Sequence, residues 1–83
     1  MPRFFIDTDD GRMTVTDKDG YELANVRAAR DLAVRALCEM TQGDPGPADQ
    51  RALSARVRSE DGGTLYSVAL TLTGEWWTAP PAA

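Results

Sequence analysis

Four sets of residues in this sequence have types and spacings that could do chemistry. The first is the run of acidic turns, Asp7-Thr8-Asp9-Asp10-Gly11 and Asp17-Lys18-Asp19-Gly20, which crowds carboxylates beside glycine as a hard-cation loop does. A helix-loop-helix calcium site needs carboxylates at alternate positions, then glycine, then a distant glutamate. The first run breaks that spacing and the second sets a lysine among too few ligands, so both read as turns, which Asp and Gly favour. The second is Cys38, whose thiolate would be a nucleophile. The chain has no histidine to activate it, and its place deep in a helix reads as a buried or half-buried small hydrophobe. The third is Arg56 and Arg58, which project from one strand face near Phe5. Arginine and aromatic residues on an open sheet can bind RNA, although the RNP patterns of such modules are missing. Last come Trp76 and Trp77. They close the end of a small core or form a contact surface, since tryptophan is enriched at binding hot spots.

The elements that position these residues follow from apolar spacing. Arg3 to Thr8 alternates as a strand, with Phe4, Ile6 and Thr8 on one face and Arg3, Phe5 and Asp7 on the other. An Asp-Gly turn leads to a second strand, Arg12 to Thr16, with Met13 and Val15 inward. A second acidic turn precedes an extended lead-in at Tyr21-Glu22-Leu23. Asn25 is placed to cap a helix from Val26 to about Thr41. The helix carries an apolar stripe of Val26, Ala29, Leu32, Ala33, Ala36, Leu37 and Met40. Asp31, Arg35 and Glu39 follow at four-residue spacing, which suits surface ion pairs, and Gly43 fits the C′ position. After a proline-rich loop, residues 48–51 suit one helical turn. Leu53 to Arg58 and Thr64 to Thr73 then alternate as a second hairpin around Glu60-Asp61-Gly62-Gly63.

The predicted fold is therefore α+β in the order β-β-α-β-β, a four-stranded, mainly antiparallel sheet with one helix on one face. Residues 1–73 make a single domain, and residues 74–83 form a tail with a frayed end. The helix stripe is expected over Phe4, Ile6, Met13, Val15, Val57, Val68 and Leu70. That leaves an open face of Phe5, Thr14, Thr16, Arg56, Arg58, Ser67, Ala69 and Thr71.

Composition narrows the function. Nine basic and 13 acidic side chains give a net charge of −4, which disfavours general binding to nucleic acid or anionic membrane. The absence of histidine removes triads, imidazole metal sites and a switch near neutral pH. A single cysteine removes an internal disulfide, and no apolar run approaches the roughly 20 residues of a membrane helix. With no extended apolar leader before the first acidic residues, the expected location is cytoplasmic.

Several segments resemble an uncharacterised family of short bacterial proteins, the domain of unknown function six-eight-nine-four. They are Met1-Pro2-Arg3-Phe4-Phe5, the Asp-Gly turns, Gly20-Tyr21-Glu22-Leu23, Ala28-Ala29-Arg30 and the Glu60-Asp61-Gly62 turn. The resemblance covers roughly residues 1–72 and implies a fold without an activity. Members often carry a histidine after the opening aromatics; Ile6-Asp7 stands there in this chain, so no role of that histidine carries over.

These observations lead to the expectation of a non-catalytic binding module without cofactor or metal, its partner a second copy or another protein. Phe5, Arg56, Arg58, Trp76 and Trp77 are its candidate contact residues, with an unprotected sheet edge that can pair across a two-fold axis as a further candidate. A marginal core under a one-sided sheet is the physical motive, because association supplies missing burial. A regulatory, nucleic-acid-associated protein resembling small antitoxins is the alternative, by fold analogy.

Overall fold

The alternating opening segment forms β1 (Arg3–Asp9), and short pairings follow at β2 (Thr14–Val15) and β3 (Tyr21–Glu22). Helix α1 (Val26–Met40) leads to the long hairpin of β4 (Gln50–Arg58) and β5 (Thr64–Thr73). The computed structural model describes residues 1–43 and 49–81. The sheet order is β2-β1-β4-β5, all antiparallel, with β3 also pairing β1. This is the expected α+β class with one helix on the sheet. The lead-in at Tyr21–Glu22 adds a fifth strand by pairing Arg3 with Glu22 and Phe4 with Tyr21.

Helix α1 lies over β4, with β1 and β5 to either side. Asn25 caps it, its Oδ1 accepting from the Ala28 amide at 2.9 Å. Ala29, Ala33 and Leu37 are buried against Phe4, Ile6, Leu53, Ala55 and Val57. The two alanines let the helix approach β4 closely, and Leu37 fills the space toward its end. Full burial of a leucine stabilises by about 1.5–3 kcal/mol, so a core this small depends on each large side chain.

The periphery departs from the sequence-based picture. Met13 and Val15 are exposed, not inward. The second strand shrinks to two residues because Asp10 Oδ1 takes the amides of Arg12 and Met13. Those turn contacts compete with a sheet ladder, and the shortened strand lies at the sheet's edge. Val26 and Leu70 are also exposed, because α1 is centred on β4 and leaves much of β5 uncovered. Cys38 is exposed rather than buried, one residue past the inward Leu37. The helix stops at Thr41, whose amide and hydroxyl both donate to the Cys38 carbonyl, so Gly43 is not needed as a left-handed cap. Arg30 pairs with its neighbour Asp31. Among the described residues, the Asp31–Arg35 and Arg35–Glu39 pairs are not formed. In the expected turn at 48–51, Gln50 and Arg51 instead begin β4, while Ala48 and the loop prolines lie outside the described residues.

Candidate functional site

The face of the sheet away from α1 carries a polar cluster centred on Asp7, which is only 5% exposed. The β1–β4 register sets Asp7 opposite Arg56 and Phe5 opposite Arg58. Arg58 Nε donates to Asp7 Oδ2 at 2.6 Å and its Nη2 to Oδ1 at 3.1 Å, a two-pronged grip on the carboxylate. Arg56 Nη2 donates to Oδ2 at 3.0 Å, and the Asp17 amide to Oδ1 at 3.0 Å. Burial by itself would raise the Asp7 pKa; the Arg58 hydrogen bonds, the Asp17 amide and Arg56 outweigh it and bring the value from 3.8 to about 2. Arg58 also stacks over the Phe5 ring at 5.1 Å and donates to the Asp17 carbonyl at 3.0 Å.

The acidic turn joins the same assembly. Asp17 Oδ2 accepts from the Ile6 amide on β1, while Oδ1 accepts from Asp19 and Gly20. The loop between β2 and β3 thereby closes that stretch of the β1 edge with a side chain in place of a strand. Gly20 makes this possible at φ +75°; a Cβ there would sit 3.0 Å from the Phe4 carbonyl and from the Phe5 ring. The turn carboxylates at Asp9, Asp10 and Asp61 likewise accept local backbone amides. Amides lower the pKa of Asp10, and the Ser59 hydroxyl followed by the Gly63 amide lowers that of Asp61. Carboxylates held this way are turn builders.

The opposite edge is different. β5 is the terminal strand, and among the described residues it pairs with β4 alone. Its ten residues, Thr64–Thr73, include no charge, glycine or proline. Leu65, Leu70 and Leu72 are exposed along it. Beside its first residues lies a recess of about 270 Å³, lined by Val26, Arg27, Arg30, Leu65 and Tyr66. Arg30 reaches over the Tyr66 ring at 5.9 Å.

The five candidate contact residues thus divide. Phe5 and Arg58 are half-buried and engaged with each other and with Asp7. Arg56 keeps one bond to Asp7, with its side chain 53% exposed. Trp76 and Trp77 stand apart from this cluster, 53% and 90% exposed, on a tail leaving β5 at Gly74. Asp7 enters the sequence analysis only as part of an acidic turn and of the Phe5 strand face, and a sheet edge only as an unnamed strand. A carboxylate in mid-strand on the Phe5 face signals the first, and the uncharged stretch from Gly62 to Gly74 signals the second.

Among the described residues, fold and surface together define a one-helix α+β module whose polar cluster is satisfied internally and whose β5 edge is unpaired. The family model of Domain of unknown function (DUF6894) matches residues 3–71, and the chain belongs to that family. No curated protein and no solved structure matches it. No helix among the described residues is long and apolar enough to cross a membrane.

Proposed function

We propose that the protein is a non-catalytic interaction module of the cytoplasm that self-associates through β5, pairing antiparallel with β5 of a second copy across a two-fold axis. The observation that carries this reading is the contrast between the two sheet edges. One is closed by short strands and by Asp17, while the other offers ten residues, about 33 Å of strand, without a charge or proline to block pairing. An antiparallel partner would bring its own Leu70 and Leu72 onto the helix side of the joined sheet, where these residues are exposed in the single copy. A non-catalytic role is supported by Asp7, which two arginines hold ionised, the reverse of what a general acid needs. The same contacts occupy the arginines that a nucleic-acid reading would use.

Light scattering across a wide concentration range, on the native chain and on Leu72→Glu, tests the proposal. Leu72 is 50% exposed and lies opposite Arg51, so glutamate has a cross-strand counter-charge in the single copy. The native chain is expected to reach twice its 9.0 kDa mass while the variant stays at one. A native chain that remains monomeric throughout rejects the reading.

A further inference from the structure

We propose that the tail of one copy clasps the other, with Trp77 seated in the partner's recess between α1 and the start of β5. This inference rests on the β5 pairing proposed above. In an antiparallel pair about a two-fold axis, the end of each strand lies beside the beginning of its mate, so Thr73 of one copy is placed near Thr64 of the other. The Gly74 amide still donates to the Asp49 carbonyl at 2.6 Å, so the chain continues along β5 before the tail begins. Trp77 is four residues past Thr73, within about 13 Å at strand spacing. The recess formed by Val26, Arg27, Arg30, Leu65 and Tyr66 lies one to two residues back along the mate strand from Thr64, within that reach once the tail bends back beyond Gly74.

The chemistry of the recess suits this occupant. Val26 and Leu65 are exposed apolar walls, and Arg27 and Arg30 offer guanidinium groups to an indole face. Glu75 travels with the tail and brings an opposite charge to those two arginines. Area gives a second reason. Stable interfaces bury about 1,200–2,000 Å² in total, and edge pairing alone joins two narrow strips. Each docked tryptophan adds roughly 150–250 Å² of its own surface, and the symmetry of the pair counts every contact twice.

The chain's two tryptophans both lie in the tail, so intrinsic fluorescence excited at the indole band reports on the tail alone. The experiment follows emission maximum and iodide quenching from nanomolar to several hundred micromolar protein, beside the light-scattering mass. The expected result is a blue shift and a several-fold loss of quenching over the range in which mass doubles. Trp77→Ala should raise the dimer dissociation constant at least about tenfold. Val26→Glu should remove the blue shift while leaving the helix intact, because an acidic residue in the first helical turn is favourable. Doubled mass with fully quenchable, unshifted tryptophan overturns the clasp and leaves β5 pairing standing. A blue shift that does not depend on concentration overturns it in favour of docking on the tail's own chain. Mass that never doubles removes the pairing and the clasp together.

Discussion

Replacing Asp7 with asparagine changes few atoms yet should cost a large part of this small protein's stability. All four groups that meet the carboxylate are donors: Arg58 Nε, Arg58 Nη2, Arg56 Nη2 and the Asp17 amide. An asparagine keeps one acceptor oxygen, and its amino group must face donors whichever way it is turned. A tenfold change in proton affinity corresponds to about 1.4 kcal/mol, so the fall of the Asp7 pKa from 3.8 to about 2 links to about 2.5 kcal/mol of folding free energy. Breaking a buried pair by removing one partner costs about 3–5 kcal/mol; Arg56 is half exposed and can return to water, which places the loss here near 2–3 kcal/mol. Because the folded-state pKa is depressed, the stabilisation is complete above about pH 4 and disappears as pH falls through about 2. Urea unfolding at pH 7 should therefore show Asp7→Asn less stable by about 2–3 kcal/mol with an unchanged m value. The gap to the native chain should close on titration from pH 4 to pH 2. A loss under about 0.5 kcal/mol at pH 7, or parallel stability curves through the acid range, would refute the assignment of Asp7 as the cluster's anchor.

Three further substitutions probe the scaffold, each read by chemical denaturation of the monomer. Gly20→Ala should destabilise by about 2–3 kcal/mol, because a residue at φ +75° is strained and its Cβ would press on the Phe4 carbonyl and the Phe5 ring. Leu37→Ala should lose about 2–5 kcal/mol as the largest fully buried side chain of the helix leaves the core, with α1 still visible by circular dichroism. Asn25→Ala should cost about 1 kcal/mol through the uncapped Ala28 amide, and Asn25→Ser should restore most of it.

What was legible in the sequence was whatever rests on local period and capping. The stripe through Ala29, Ala33 and Leu37, the Asn25 cap and the alternation of β4 and β5 place the helix and the long hairpin where they are. The failures fall where side chains compete with backbone ladders. Asp10 and Asp17 spend their oxygens on amides, which shortens β2 and leaves β3 as a separate pairing, and no hydrophobic period encodes that. The Asp7 cluster depends on the register between β1 and β4, strands 49 residues apart at the Asp7–Arg56 contact. Alternation assigns Asp7 and Arg56 to faces without saying which residue opposes which. Cys38 lies a single position around the helix from the inward Leu37, and that step is the difference between the core and the solvent. The bare edge is a property of strand order, visible only once β5 is known to be terminal.

Amide hydrogen exchange along β5, compared between dilute and concentrated protein, tests the central claim most directly. In a strand paired on one side, the amides of alternate residues point outward and exchange quickly. Pairing of β5 with a second copy predicts that the outward amides within Thr64–Thr73 slow at least about tenfold at high concentration, while those of α1 keep their rates. Unchanged exchange along β5 at concentrations where the mass has doubled would contradict the account and move the interface elsewhere on the molecule.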